Sequence, residues 1–97
     1  MTVRLHPGAE DDVARAAAFY EREGSAVIAA RFVSEVGRVA LFLLANPGSG
    51  TPRPRGRRAF PTSGFPYTIV YREVSDGILV LAVKHDRLRP NYGSARR

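Results

Sequence analysis

The sequence predicts a single α+β domain over its 97 residues, with the element order β-α-α-β-β-β. In this arrangement a helical hairpin packs on one face of a twisted antiparallel sheet. Two observations support it. Two apolar stripes with helical spacing occupy the first half, separated only by Gly24 and Ser25. After Gly56 the pattern changes to β-branched and aromatic strand segments divided by turn residues.

The first strand and the first helix are short and closely spaced. Residues 2–6 alternate weakly and predict a strand that Pro7 ends. An acidic run at residues 10–12 suits a helix N-terminus, where negative charge is favoured. Apolar residues then recur at i, i+3, i+4 and i+7, and Gly24 is expected to end this helix.

A second helix is expected immediately afterwards, with Ser25 as its N-cap. Its buried stripe is formed by Ala29, Phe32, Val33, Val36, Ala40, Leu43 and Leu44. Asn46-Pro47-Gly48 ends the helix. Because the connection between the two helices is so short, they should form an antiparallel hairpin.

The second half of the chain predicts three strands and a basic tail. The expected segments are a loop at 47–56, a short strand at 57–61, a turn at 62–64, a strand at 65–74, an Asp-Gly hairpin turn at 75–77, a strand at 78–83 and an aperiodic basic tail from Arg87. Tyr67 and Tyr71 share one strand face with Phe65 and Ile69, so core packing is expected for both tyrosines.

Charge is distributed unevenly along the chain. The formal net charge is +6, but residues 1–52 hold five arginines against six acidic residues. Residues 53–97 hold nine arginines and Lys84 against three acidic residues. This asymmetry indicates a polyanionic partner, either nucleic acid or an acidic protein segment. The alternative is an arginine-rich proteome, since Lys84 is the only lysine.

Several classes of function find no support in the sequence. The absence of cysteine excludes disulfides and thiolate chemistry. Two isolated histidines argue against a zinc site, and no G-x-S-x-G or phosphate-binding loop motif occurs. The start of the chain does not resemble a targeting signal, and its longest apolar run is too short to span a membrane. We therefore expect a cytoplasmic protein with no cofactor, no metal and no membrane contact.

Four segments resemble the RelE/ParE toxin superfamily. They are AEDDVARAAAFYERE in the first helix, AARFVSEV in the second, FPYTIVYRE at 65–73 and ILVLAVKHDRLRPNY at 78–92. The last segment, with its His-x-Arg-x-x-Pro-x-Tyr ending, is closer to the ParE-like, plasmid-stabilisation branch. One departure is Gly93, which follows Tyr92 where many similar sequences carry tryptophan.

The resemblance implies a stable toxin silenced by an antitoxin from the adjacent gene, with a hetero-tetramer among the expected assemblies. The antitoxin would cover the basic face. Three functions follow from the superfamily. ParE-like members inhibit DNA gyrase and are not nucleases, whereas RelE-like members cut mRNA in the ribosome. The third is a degenerate member that has lost toxicity.

If the protein is a nuclease, a few residues could carry metal-independent RNA cleavage. The 2′-hydroxyl must lose a proton, the leaving oxygen must gain one, and charge at phosphorus must be stabilised. His85 and Tyr92 are the candidate acid and base, and Arg58, Arg72 and Arg87 are the candidate phosphate ligands.

Each candidate also has a structural interpretation. His85 ends a strand, where a hydrogen-bonding role is common, and Arg72 suits a solvated sheet position. Arg87 and Arg89 suit a general basic surface. Arg57 and Arg58 are adjacent in a strand and must point to opposite faces, so only one can join a given site. We favour Arg58.

Overall fold

The computed structural model describes residues 1–97 as two helices packed on one five-stranded sheet. The elements are β1 (Thr2–Leu5), α1 (Pro7–Glu23), α2 (Ala26–Ala45), β2 (Thr51–Arg53), β3 (Arg57–Pro61), β4 (Tyr67–Val74) and β5 (Gly77–His85). The strand order in the sheet is β1-β5-β4-β3-β2. The α+β class and the helical hairpin are confirmed.

α1 begins at Pro7, three residues before the acidic run that was expected to mark its start. Proline fits there because the N–H of the first residue of a helix has no acceptor within the helix. The preceding residue, His6, caps the helix by accepting a hydrogen bond at Nδ1 from the N–H of Gly8 at 2.9 Å. Pro7 therefore starts the helix as well as ending the strand.

The turn between the helices follows the expected chemistry. Gly24 ends α1, and a Cβ there would lie 2.9 Å from the carbonyl oxygen of Tyr20, so the position lacks room for a side chain. Ser25 accepts a hydrogen bond from the N–H of Ile28 at 3.2 Å, which confirms it as the N-cap of α2. Neither helix has an apolar stretch long enough to cross a membrane.

The sheet differs from the predicted one in two respects. β1 pairs with β5 in parallel, with Leu5 opposite Val80, so the sheet is mixed and the prediction of a wholly antiparallel sheet is wrong. In addition, β2 lies inside the segment predicted as a loop and pairs with β3. β2 is only three residues long and contains Pro52, which an edge strand tolerates.

The core lies between the helices and one face of the sheet. Its buried members are Ala9, Ala16, Phe32, Val36, Val39, Leu43, Ile69, Tyr71, Ile78, Val80 and Val83. Tyr71 is fully buried, and Tyr67 packs against the same cluster, which confirms core packing for both tyrosines. β4 starts at Tyr67, so Phe65 and Pro66 belong to the turn that precedes it.

β5 extends beyond the end of its parallel neighbour β1. Along this unpaired edge, side chains form hydrogen bonds with the backbone of β5. The last backbone bond from the β1 side runs from the N–H of His6 to the carbonyl of Val80 at 2.8 Å. Further along, the N–H of Val83 donates to Asp12 at 3.0 Å, and Arg96 donates to the carbonyl of Leu81 at 3.0 Å. The tail, which showed no periodic pattern, thus folds back onto the domain.

Candidate functional site

His85 is the last residue of β5 and borders a groove beside α1. Its ring meets that of Tyr67 edge to face, with centroids 5.1 Å apart. Its Nδ1 accepts a hydrogen bond from the N–H of Arg87 at 3.1 Å, which shapes the turn after the strand. The groove has a volume of about 410 Å³, and its other lining residues include Phe19, Leu88 and Tyr92.

Tyr92 reaches the same groove, but its hydroxyl is engaged by α1. It donates to Oδ1 of Asp12 at 2.6 Å and accepts hydrogen bonds from Arg15 and Arg96, each at 3.1 Å. The guanidinium of Arg96 also stacks over the Tyr92 ring, 4.9 Å from its centroid. Tyr92 is therefore a member of a hydrogen-bonded network that anchors the tail.

Asp12 is the centre of that network and is only 5% exposed. Burial by itself would raise the pKa of Asp12. The hydrogen bonds from Arg96, Tyr92 and the N–H of Val83 outweigh burial, so the pKa is lowered and the carboxylate is charged in the folded protein. This position was not among the predicted site residues, because it was assigned to the acidic helix start.

Among the predicted phosphate ligands, Arg72 lies on the sheet face that points away from the helices. Val70 and Ala82 are paired on this face, and the tail lies over it, since a Cβ on Gly93 would be 3.2 Å from Cβ of Ala82. Gly93 has a φ of 74°, a conformation that glycine adopts without strain. Gly93, where many similar sequences carry tryptophan, thus lies at a close contact between the tail and the sheet.

We call this sheet face the open face, because no helix covers it. Arg72 lies on the open face and lines a cavity of about 360 Å³ together with Arg55, Arg57 and Arg97. Arg57 is only 8% exposed, and its guanidinium donates to the backbone carbonyls of Ser94, at 2.9 Å, and of Arg96. Arg55 donates to the same Ser94 carbonyl at 2.9 Å. The tail therefore holds two of the four guanidinium groups in place.

The structure brings some of the predicted site residues together and separates others. His85 and Tyr92 border one groove, whereas Arg72 lies in the arginine-lined cavity, which shares no residue with that groove. Arg87 is exposed in the turn after β5. Arg58 pairs with the buried Tyr71 and donates to the carbonyl of Gly50 at 2.9 Å. Arg58 therefore supports a loop, and Arg57 is the arginine that lies beside Arg72.

The sequence did not predict Arg55, Arg57 and Arg97 as site residues. A signal for Arg57 was available, because strand alternation places Arg57 and Arg58 on opposite faces. The strand register, with Arg58 opposite Tyr71, decides which face each takes. No group of three or more His, Asp or Glu side chains lies close enough together to ligate a metal ion. The four arginines that line the cavity beside Arg72 can bind anions, and no acid or base lines that cavity.

Comparison with known proteins agrees with this fold. The family profile described as the ParE toxin of the type II toxin–antitoxin system parDE matches residues 3–89. The chain belongs to the ParE toxin family. A solved structure, titled as a chromosomal ParDE toxin–antitoxin system from P. aeruginosa, is similar to this ParE-family chain with a TM-score of 0.77 and 20% sequence identity. The match covers 88% of this chain and 95% of that one. The comparison with curated proteins gives no significant match.

Family membership answers the question that the resemblance left open between the two branches of the superfamily. The protein is a ParE-family member, as the His-x-Arg-x-x-Pro-x-Tyr ending indicated, and thus the toxin of a type II toxin–antitoxin module. The partner of such a toxin is its cognate antitoxin. In this ParE-family fold, the groove beside α1 has a largely apolar lining, and the cavity beside Arg72 is lined by arginines alone.

Proposed function

We propose that this ParE-family toxin inhibits DNA gyrase by binding to it and performs no bond cleavage of its own. The observation that carries the proposal is the separation of His85 from the arginine-lined cavity. A ribonuclease needs its acid and base within hydrogen-bond reach of the same phosphodiester that its cations stabilise. Here the four clustered arginines and His85 line different cavities.

The state of Tyr92 argues in the same direction. Its ring also borders a cavity beside Arg55 and Arg57, so Tyr92 is the one acid–base candidate near the arginines. Its hydroxyl, however, donates its proton to the buried carboxylate of Asp12. Use of that proton elsewhere would break the network that anchors the tail. A binding toxin has no need of such a proton donor.

A cleavage assay with purified gyrase tests the proposal. Toxin at micromolar concentration is mixed with gyrase, ATP and supercoiled plasmid, and the reaction is stopped with detergent. We expect linear plasmid that carries covalently attached gyrase, and heat-unfolded toxin serves as the control. If micromolar toxin leaves the plasmid uncut while a translating extract shows new mRNA breaks, the toxin is a nuclease and the proposal fails.

We further propose that the cognate antitoxin neutralises the toxin by laying an acidic, partly disordered segment on its basic surface. Arg87 and Arg89 are exposed and offer charge to such a segment. The groove beside α1 offers apolar contacts, since Phe19 is 47% and Leu88 is 45% exposed. Ordering the segment costs conformational entropy, which apolar burial and charge pairing together offset.

A further inference from the structure

The open sheet face carries a row of arginines without acidic partners. Arg53 of β2 lies directly opposite Arg57 of β3, and Arg72 of β4 lines the same cavity as Arg57. Neighbouring strands are only about 4.8 Å apart, and like charges directly opposite each other destabilise a sheet. The ion pairs of the molecule involve other arginines, namely Arg4, Arg15, Arg38 and Arg96.

The lack of acidic partners is clearest at Arg57. Its pKa is lowered, first by burial and then by the positive charges of Arg55, Arg72 and Arg97, and no acidic group opposes these effects. Backbone carbonyls of the tail bind the ends of its guanidinium, while its buried Nε has no hydrogen-bond partner. Burial of a cation without a counter-charge opposes folding, and a bound anion would offset that cost.

The backbone at Arg55 gives an independent indication. Arg55 has φ 65° and ψ 32° and is the only non-glycine residue with a positive φ. Strained backbone of this kind concentrates at ligand-binding sites, where the surrounding contacts maintain it. Here the strain accompanies the contact of the Arg55 guanidinium with the Ser94 carbonyl, which brings it beside Arg57.

We propose that this face binds the phosphodiester backbone of nucleic acid, with phosphates held by Arg55, Arg57, Arg72 and Arg97. Guanidinium groups form paired hydrogen bonds to phosphate, and a nucleic acid strand supplies regularly repeated charges. The cavity that the four arginines line contains no apolar residue. Val70 and Tyr92 line a neighbouring cavity beside Arg55 and Arg57, but the four arginines have no apolar neighbour within their own cavity. An acidic peptide would need apolar anchors for most of its affinity, so a polyphosphate strand fits the four arginines better. The site goes beyond gyrase inhibition and stands whichever enzyme is the target.

Binding of a short fluorescent single-stranded DNA to the purified toxin tests the site. The variant is Arg72→Gln with Arg97→Gln, whose side chains make no hydrogen bond or ion pair within the protein. The matched control is Arg22→Gln with Arg31→Gln, which removes the same charge from exposed helix positions. Loss of two phosphate contacts should weaken DNA binding about 10-fold and reduce the slope of log affinity against log salt by about 1.4.

The DNA affinity of the Arg22/Arg31 control variant should stay within about two-fold of that of the unmodified protein, as expected for charges that touch no phosphate. The thermal unfolding midpoint of the Arg72/Arg97 variant should equal or exceed that of the unmodified protein, because the variant relieves repulsion on Arg57. Equal losses of DNA binding in the two variants would overturn the proposal. It would also be overturned if polyglutamate bound as tightly as the DNA with the same sensitivity to the Arg72/Arg97 change.

Discussion

The carboxylate of Asp12 on α1 lies 2.7 Å from Nη1 of Arg96, which is 84 residues further along the chain. Both side chains also bond to the backbone of β5, Asp12 to the N–H of Val83 and Arg96 to the carbonyl of Leu81. The pair therefore occupies the place that β1 vacates along the edge of β5. The pair also anchors the tail, whose carbonyls hold Arg55 and Arg57 on the sheet face that points away from the helices.

Replacement of Asp12 by alanine should lower the free energy of unfolding by about 3 kcal/mol, because it leaves the largely buried Arg96 guanidinium without its counter-charge and the N–H of Val83 without an acceptor. Urea denaturation measures this loss. Asp11→Ala is the matched control, since Asp11 is exposed on the same helix turn. Equal stability of the two variants would show that the Asp12 network contributes nothing.

The same network predicts how stability depends on pH. The folded pKa of Asp12 lies below its unfolded value of about 3.9, so its contribution is fully present above that pH. The contribution is lost as pH falls through the folded pKa. The difference in urea midpoint between the unmodified protein and Asp12→Asn should therefore be constant from pH 7 to 5 and shrink toward pH 3. A difference that grew in acid would contradict the direction of the pKa shift.

Tyr71 should stabilise the segment between α2 and β2 through its hydroxyl. This hydroxyl donates to the carbonyl of Pro47 at 2.8 Å and accepts from the N–H of Gly50 at 2.9 Å. Tyr71→Phe should cost about 1–3 kcal/mol, because it leaves both backbone groups without their partner. Tyr20→Phe is the control, since the Tyr20 ring packs on the core but its hydroxyl makes no hydrogen bond within the protein. We expect little change in the urea midpoint of that control.

Arg87 and Arg89 should contribute charge to antitoxin binding. Replacing both with glutamine should slow association and weaken the salt dependence of the complex, as expected for charges at the rim of an interface. Stopped-flow association at several salt concentrations measures this, with Arg22→Gln and Arg31→Gln as controls. A complex that formed unchanged at high salt and with both arginines replaced would show that charge has no role.

The sequence was sufficient for the features that depend on local patterns. The helical hairpin follows from apolar spacing and from the Ser25 cap, and the Asp-Gly turn between β4 and β5 follows from its residues. β2 escaped prediction because three residues with a central proline carry no periodic signal. The parallel pairing of β1 with β5 joins elements separated by the whole helical hairpin, so no local pattern reports it.

The candidate site was harder to predict, because it depends on register and on the path of the tail. Alternation separates Arg57 from Arg58, but only the pairing of Arg58 with Tyr71 shows that Arg58 faces the helices. Arg96 and Asp12 gave no signal, since their contact spans most of the chain. The resemblance indicated the family correctly, whereas the grouping of arginines came from the three-dimensional arrangement.

Pulse expression of this ParE-family toxin without its antitoxin tests most directly whether the toxin acts on gyrase without cutting RNA. DNA-bound gyrase and the 5′ ends of several translated messages are measured in the same cells. We predict growth arrest with gyrase trapped covalently on chromosomal DNA and no new message ends. New ends at fixed positions within codons, without trapped gyrase, would contradict the claim and identify a ribosome-dependent nuclease.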